Sequence, residues 1–176
     1  MGGGHVMRCL ALAQALVARG AQCAFAVNAA GQSILARFSD TDWSIVAIET
    51  PTDVLVVDDY AMDAGRERAL RSSTSMLTVV DDLADRPHLA DLLVDPGDGR
   101  TPADYAALVP RGAILLMGPA YALLRASFAA RRAERRTAQS AQIDRVFVSF
   151  GLSDVDGVTA RAVAARAGAA PPRPGR

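Results

Sequence analysis

The sequence predicts an α/β protein with a Rossmann-like, mostly parallel sheet that carries helices on both faces. One observation behind this prediction is that strand-like and helical patterns alternate along most of the 176 residues, as in parallel sheets joined by helical crossovers. A second is the almost continuously apolar run DVLVV at Asp53 to Val57, because a strand covered on both faces has this composition. A third is an apolar fraction of 51%, which is enough to fill a core.

Several segments have the composition of strands. Apolar residues run almost without interruption through each of them, and acidic or glycine-containing turns follow several. The predicted strands are 21–27, 43–48, 53–57, 76–80, 91–94, 114–117 and 143–150.

Helical periodicity fills the intervals between these strands. In the first helix, apolar residues recur at three- and four-residue spacing from Val6 to Val17, and Gly20 lies where a helix C-cap is expected. The other predicted helices are 33–38, 62–71, 121–136 and a last one that starts near Val158. The polar run after Ala138 predicts a linker, and the prolines at 171–174 predict a tail that cannot continue the last helix.

Composition and charge exclude several classes of function. The formal net charge is 0, so nothing favours binding to nucleic acid or to an anionic membrane. No apolar run reaches about 18 residues, and the start lacks the pattern of a signal peptide, which together predict a cytoplasmic protein. The two cysteines, Cys9 and Cys23, lie in apolar surroundings and predict buried thiols rather than a disulfide framework or a zinc site.

His5 is the first candidate for chemistry. It follows Gly2, Gly3 and Gly4 at the start of the first predicted helix, where free N–H groups and the helix dipole favour an anion. The same dipole favours a neutral imidazole, which is the form that a general base needs. A helix-capping or partly buried histidine is an equally good interpretation of the pattern. The other histidine, His88, lies in a proline-containing loop and is expected to be solvated or structural, so no metal pair is predicted.

Polar residues follow the predicted strands at the edge of the sheet where ligands bind in folds of this class. The pairs Asp58-Asp59 and Asp81-Asp82 are interpreted as groups that act in acid/base chemistry, orient His5 or bind sugar hydroxyls. They could equally be turn residues and helix caps. Arg125 lies within an apolar stripe and needs a carboxylate or a ligand phosphate as partner. That stripe, which includes Tyr121, Leu124 and Phe128, is expected to pack in the core.

Five stretches resemble the PseG family of UDP-sugar hydrolases, which act in pseudaminic acid biosynthesis. The family's opening pattern, GxGHxMRCLxLAxxL, is matched by GGGHVMRCLALAQAL, and its DxYxxD stretch is matched by VVDDYAMD at Asp58, Tyr60 and Asp63. Three further family stretches, DDxAxRxHxxDLLxxx, GPxYALLRPEF and VSFGGSD, are similar to VVDDLADRPHLADLLVDP, GPAYALLRASF and VFVSFGLSD. The five occur in the family's order and cover about Gly2 to Asp154.

The resemblance implies a two-domain fold like that of GT-B glycosyltransferases, with substrate in the cleft between the domains. It implies that UDP is removed from UDP-2,4-diacetamido-2,4,6-trideoxy-β-L-altropyranose without a metal or other cofactor. The histidine of the GxGH motif activates water for attack on the anomeric carbon with inversion, and His5 matches it. The residues expected to bind the UDP-sugar are Gly3, Gly4, Arg8, Asp58, Tyr60, Arg125, Ser149, Gly151 and Ser153.

The sequence departs from the family pattern in several places. No strand ending in Asp-Ala-Ser precedes the glycines, Leu152 replaces the second glycine of the SFGGSD loop, and Ala126-Ser127 replaces Pro-Glu. The chain is expected to comprise a catalytic-base domain at 1–138, the start of a truncated nucleotide-binding domain at 139–168 and a disordered tail at 169–176. We therefore expect an inactive fragment. The alternatives are a GT-B-type glycosyltransferase and a non-catalytic remnant or binding module.

Overall fold

A computed structural model of the chain describes residues 3–134, 146–151 and 155–167, and these form an α/β fold of Rossmann-like type. The strands are β1 (Ala24–Phe25), β2 (Ser44–Ile45), β3 (Thr52–Val57), β4 (Thr74–Val80), β5 (Leu92–Asp95) and β6 (Ile114–Met117). The helices are α1 (Gly3–Val17), α2 (Ala29–Phe38), α3 (Ala64–Leu70), α4 (Pro102–Tyr105), α5 (Ala126–Glu134) and α6 (Val158–Ala167).

All strand pairs are parallel, as the sequence predicts. Strands β3 to β6 form a four-stranded sheet in chain order, and β1 pairs with β2 in a separate two-stranded sheet. The strands of the larger sheet run in register, with Val57 opposite Val79. Their carboxyl ends therefore meet at one edge, where Asp58, Asp81 and Gly118 follow β3, β4 and β6.

The two faces of the larger sheet are covered by different helices. Because side chains alternate between faces along a strand, Leu77, Val79 and Leu93 all point to one side, where they pack in a core with Leu70 and Tyr105. The residues that alternate with them along the strands point to the other face of the sheet, where they line a cavity of about 300 Å³. That cavity is lined by Leu12 of α1 together with Thr78, Val80, Leu92, Val94, Leu116, Ala120, Tyr121, Ala122 and Leu123.

A second hydrophobic cluster anchors α1. It joins Val6 and Leu10 of α1 to Phe25 of β1 and Leu35 of α2. Helix α2 lies very close to Val27 at Gly31. An added Cβ at this position would lie 2.8 Å from Cβ of Val27, so glycine is required there. With one face of α1 fixed in this way, its first turn, which carries His5, lies at a defined position.

The predicted strands 21–27 and 43–48 are shorter in the structure, at Ala24–Phe25 and Ser44–Ile45, and two further predicted elements differ from it. Residues 146–150 of the predicted strand 143–150 are irregular, and residues 143–145 lie outside the described part. No described strand pairs with 146–150, and a strand without a ladder partner leaves its backbone groups unsatisfied; Phe147 is 90% exposed. Over residues 121–134, the predicted helix 121–136 is instead the end of a 3₁₀ turn at Pro119–Tyr121 followed by α5, and residues 135–136 lie outside the described part.

The expected packing of one apolar stripe is wrong. Tyr121, Leu124 and Phe128 are all exposed rather than packed in a core. Conversely, α4 was missed, because a four-residue helix gives no periodicity to detect. Its signal is local: Pro102 occupies the first turn, and Thr101 and Asp104 form a capping box.

Some predictions concern residues that the structure does not describe. The linker expected after Ala138 and the tail expected at 169–176 lie outside the described residues. Within the described ranges, no helix has the length and apolar composition needed to cross a membrane.

Arg71 and Asp91 form an ion pair whose contribution to stability should depend on pH. Asp91 accepts two hydrogen bonds from the Arg71 guanidinium and one of 2.8 Å from the Leu77 N–H, and these lower the pKa of Asp91. A carboxyl group whose pKa is lower in the folded state than in the unfolded state stabilises the folded protein at pH values above its unfolded pKa of about 3.9. That contribution is lost as the pH falls through the folded pKa. We expect Asp91→Asn to lower the free energy of unfolding at pH 7 by about 1 kcal/mol.

Urea unfolding from pH 7 down to the lowest pH with a native baseline measures this effect. The difference between Asp91→Asn and the wild type should shrink as the pH is lowered. Asp98→Asn, a change at an exposed loop carboxylate, is the matched control and should show little difference at any pH. A difference for Asp91→Asn that is constant with pH would contradict the assignment.

Candidate active site

Five polar side chains meet where α1 begins and β3 and β4 end. They are His5 and Arg8 from the first two turns of α1, Asp58 and Tyr60 after β3, and Asp82 after β4. We call these five residues the His5 site. They lie at the carboxyl edge of the parallel sheet, which is where ligands bind in folds of this class.

The centre of the His5 site is a buried pair of histidine and carboxylate. Nδ1 of His5 lies 2.6 Å from Oδ1 of Asp58, and the two side chains are 11% and 1% exposed. A nitrogen and a carboxylate oxygen approach this closely only with a proton between them, so Nδ1 carries the hydrogen and donates it to Asp58. No described residue bonds Nε2, and in the neutral ring with its hydrogen on Nδ1 this is the nitrogen that carries the free lone pair. The edge of the ring packs against Tyr60 at a centroid distance of 4.7 Å.

Arg8 holds the two carboxylates of the site together. Its Nε and Nη2 donate to Asp58 at 3.0 and 2.7 Å, and its Nη1 donates to Asp82 at 3.0 Å. Nη2 also lies 3.1 Å from Nδ1 of His5, but that nitrogen already carries a hydrogen, so the contact is not a second hydrogen bond. Burial lowers the pKa of Arg8, but hydrogen bonds and charges from Asp58 and Asp82 outweigh this and raise it. Three of the five N–H groups of Arg8 thus serve the site's own acids.

Tyr60 closes the outer side of the site. Its hydroxyl donates to Oδ1 of Asp82 at 2.8 Å, while the residue as a whole is 44% exposed. Burial and the hydrogen bond to Asp82 raise the pKa of Tyr60, so the hydroxyl keeps its proton at neutral pH. Because this one proton is donated to Asp82, the hydroxyl oxygen can accept a hydrogen bond at the mouth of the site.

The predicted glycine turn is helical in the structure. Gly3 and Gly4 form the first turn of α1 rather than a turn that precedes it. An added Cβ at Gly4 would meet no atom of the described residues within 4 Å, so packing against them does not require glycine there. This space leaves room for a ligand to approach the backbone at Gly4.

The remaining predicted site residues lie elsewhere or outside the described part. Arg125 is exposed, and its guanidinium lies 5.6 Å from the ring centroid of Phe128. Its neighbour among the described residues is therefore an aromatic face and not a carboxylate, and the expected contact with a ligand phosphate stays a prediction. Ser149 and Gly151 are exposed, and within the described residues no hydrogen bond joins them to the His5 site. Ser153 lies outside the described residues.

Two acids act as local structural residues. The side chain of Asp59 accepts from the Ala61 N–H at 3.0 Å, which is a turn interaction, and Asp63 caps α3 by accepting from the Arg66 N–H at 3.0 Å. For Asp59, the interpretation as a turn residue is confirmed. Asp58, by contrast, orients His5, which was one of the roles considered for the first acidic pair.

A buried polar cluster lies behind the His5 site, and most of it was missed by sequence reasoning. It contains Glu67, Asp81, His88, Asp95 and Tyr105, all of them buried. The Tyr105 hydroxyl lies 2.9 Å from Asp81 and 2.8 Å from Asp95, which compete for its one proton. Burial and these two carboxylates raise the pKa of Tyr105. Asp95 could have been found, because it ends β5 as Asp58 and Asp81 follow β3 and β4.

The arginines near this cluster are already paired. Arg86 lies 2.9 Å from Asp81, and Arg100 lies 3.6 Å from Asp95 and donates to the carbonyls of Asp82 and Leu83. In the part of the chain that the structure describes, no three His, Cys, Asp or Glu side chains are grouped closely enough to hold a metal ion. The described part of the site therefore offers a base, hydroxyl and carboxylate groups, and no cluster of unpaired cations.

The sequence was also compared with known proteins. No protein-family model matches the chain, and no curated protein matches it significantly. The resemblance to the PseG family therefore stays a prediction, and the geometry of the His5 site carries the functional conclusion.

The reactivity of the Cys9 thiol gives an independent measure of the burial of Asp58. Its Sγ lies 3.9 Å from Oδ2 of Asp58, and burial, helped by the charge of that carboxylate, raises the pKa of Cys9 to about 12. Since the thiolate is the reactive form, we expect Cys9 to react with Ellman's reagent at pH 8 at least about 10³-fold more slowly than free cysteine. The variants Cys9→Ser and Cys23→Ser show which of the two reaction rates belongs to which cysteine. A rate for Cys9 close to that of free cysteine would contradict its burial beside Asp58.

Proposed function

We propose that this protein is a nucleotide-sugar hydrolase that removes UDP from a UDP-linked 2,4-diacetamido-2,4,6-trideoxy sugar, with His5 as the general base. The observation that carries the proposal is the buried Asp58–His5 pair, in which a 2.6 Å hydrogen bond fixes the proton on Nδ1. Nε2 is thereby left as a bare nitrogen, and no described residue bonds it. This arrangement prepares a histidine to accept a proton from a hydroxyl or a water.

The proposed reaction is a single displacement. Nε2 of His5 takes a proton from a water molecule as the water oxygen attacks the anomeric carbon of the sugar. The bond from that carbon to the diphosphate oxygen breaks, and UDP leaves with the electron pair. Asp58 stabilises the imidazolium that forms, as a carboxylate partner does in other histidine bases. Attack from the face opposite the leaving group inverts the configuration.

The other side chains of the site support this role. Arg8 fixes Asp58 and Asp82 and prevents two nearby carboxylates from repelling each other. The side chain of Arg8 is 22% exposed, and Tyr60 stands at the mouth of the site with a hydroxyl oxygen that can accept a hydrogen bond. These groups are suited to the hydroxyl and acetamido groups of a sugar.

Stabilisation of the leaving diphosphate is assigned to other residues. The His5 site has no unpaired cationic cluster, so a departing diphosphate needs donors from another part of the chain. The resemblance to the PseG family assigns such contacts to Ser149, Gly151 and Ser153, and these assignments stay predictions. Following the same resemblance, the proposed reaction uses no metal.

The test is UDP release from UDP-2,4-diacetamido-2,4,6-trideoxy-β-L-altropyranose, with proton NMR of the sugar product during the first turnovers. We expect release without any added acceptor, and the α anomer as the first product. Such release would contradict the sequence-based expectation of an inactive fragment, and we propose it because His5, Arg8 and Asp58 are already assembled within this chain. Release that requires an acceptor would instead favour a glycosyltransferase. Absence of UDP release, or first appearance of the β anomer, would overturn the proposed hydrolysis with inversion.

A further inference from the structure

His88 is a buried histidine between two acids, and the proposed reaction does not use it. Its side chain is 0% exposed. Nδ1 lies 2.6 Å from Oε1 of Glu67 on α3, and Nε2 lies 3.9 Å from Oδ1 of Asp81 at the end of β4. Oδ1 of Asp81 is itself paired with Nη2 of Arg86 at 2.9 Å, whereas Nε2 of His88 is buried without a hydrogen-bond partner. A buried polar nitrogen without a partner needs an explanation, because burying such an atom is costly.

The charges around His88 explain why its Nε2 can be buried without a hydrogen-bond partner. Glu67 faces it from α3 and Asp81 from the end of β4, while Arg86, in the loop that leads to His88, lies 2.9 Å from Asp81. Tyr105 of α4 contributes only a hydroxyl, to the other oxygen of Asp81. Two buried carboxylates are thus matched by one arginine. Buried charges are tolerated when they are paired, and a positive charge on His88 balances the group.

We propose that His88 is held as an imidazolium between Glu67 and Asp81 and acts as a positioning residue for the His5 site. Nδ1–H donates to Glu67, and the second ring proton on Nε2 faces Oδ1 of Asp81, the oxygen that also pairs with Arg86. The inference rests on the proposed function, because it concerns the site to which that function is assigned. His88 acts on His5 only through the groups that lie between them.

The connection to the His5 site runs through one turn. Oδ2 of Asp81 accepts from the backbone N–H groups of Leu83 at 3.3 Å and Ala84 at 2.9 Å, and Ala84 has a left-handed backbone with φ of 53°. The next residue after Asp81 is Asp82, whose carboxylate holds both Arg8 and Tyr60. A non-glycine residue at positive φ needs support from its surroundings, and Asp81 provides it here. Loss of charge on His88 should therefore disturb Asp82 and, through Arg8, the His5–Asp58 pair.

The ionisation of Asp81 agrees with this arrangement. Burial raises the pKa of Asp81, but hydrogen bonds from Ala84 and Tyr105 and the charges of Arg86 and His88 outweigh burial and lower it. Asp81 is therefore a carboxylate at neutral pH and can serve as the counter-ion that His88 faces.

Nitrogen NMR of the full chain labelled with ¹⁵N-histidine tests the proposal directly. The chain has 2 histidines, so the spectrum contains only His5 and His88, and His88→Asn assigns them. We expect His88 at pH 7 to show two ring nitrogens with similar shifts, as an imidazolium does. His5 should show two well-separated shifts, as a neutral ring does. A neutral pattern for His88 in the wild type would overturn the proposal without any variant.

A second comparison tests the coupling to the His5 site. Glu67→Gln keeps the shape of the side chain and removes one of the two negative charges, whereas Glu49→Gln removes a charge at an exposed position. We expect Glu67→Gln to lose the imidazolium pattern of His88 and to shift the His5 signals, and Glu49→Gln to change neither. Unchanged His5 signals in a folded Glu67→Gln protein would overturn the positioning role. Because no turnover is measured, these results are independent of whether UDP-sugar is the substrate.

Discussion

His5→Asn should lower kcat for UDP release by about 10²- to 10⁴-fold, the usual contribution of a general base. Asparagine places an amide N–H close to the position of Nδ1, so the hydrogen bond to Asp58 can be kept. It has no group at the position of Nε2 and cannot accept a proton there. The substitution therefore separates the structural role of the histidine from its chemical role.

Folding of this variant should change little. Asp58 remains paired with Arg8 through two hydrogen bonds of 3.0 and 2.7 Å, so no buried charge is left without a partner. We expect the free energy of unfolding in urea to fall by no more than about 1 kcal/mol. His5→Gln, whose amide reaches towards the position of Nε2 but cannot take up a proton, should be as inactive. Near wild-type kcat in a folded His5→Asn protein would remove His5 from the reaction.

Much of the fold could be predicted because it depends on local patterns. Apolar runs that end in acids located β3 and β4, and the spacing between Val6 and Val17 located α1. Since parallel strands end at one edge, the meeting of His5 with residues after β3 and β4 followed from the alternation of elements. The run at 146–150 failed because an apolar composition makes a strand only where a neighbouring strand pairs with it.

Which acid of each pair belongs to the site could not be predicted. Successive residues point in different directions, so Asp58 reaches inward to His5 while Asp59 binds its own turn, and Asp81 turns to Tyr105 while Asp82 turns to Arg8. If the strand ended one residue earlier or later, the two acids of a pair would exchange roles, and the sequence pattern would be the same. The contact of Glu67 with His88 joins residues 21 apart in sequence, and it depends on how α3 packs against the loop. Such contacts are set by tertiary structure alone.

Asp58→Asn should have the largest combined effect on activity and stability. Asp58 accepts hydrogen bonds from His5 and, twice, from Arg8, and its side chain is 1% exposed. An amide of the same shape accepts through only one atom and turns N–H groups towards the remaining donors. We expect the free energy of unfolding to fall by about 3 kcal/mol, because removing one partner of a buried ion pair leaves the other charge uncompensated. The interaction of Arg8 with Asp82 keeps this loss at the low end of the usual range.

The effect on activity has a separate origin. Without a carboxylate at Nδ1, the imidazole is free to place its proton on either nitrogen, and the imidazolium formed in the reaction loses its counter-charge. We expect kcat for UDP release to fall by about 10²- to 10⁴-fold in the folded variant. Asp53→Asn is the matched control, because Asp53 is an exposed aspartate at the other end of β3. It should change stability by less than about 0.5 kcal/mol and leave kcat unchanged.

Two further measurements separate the loss of the buried pair from general damage. In the double variant Arg8→Met/Asp58→Asn the uncompensated charge is gone, so the combined loss of stability should be smaller than the sum of the single losses. The negative charge that helps to raise the pKa of Cys9 is also gone, so Cys9 in Asp58→Asn should react faster with Ellman's reagent. Additive stability losses together with an unchanged Cys9 rate would mean that Asp58 is not the common partner of Arg8, His5 and Cys9. Non-additive losses and a faster Cys9 would identify the one carboxylate on which both the stability of the site and the orientation of its base depend.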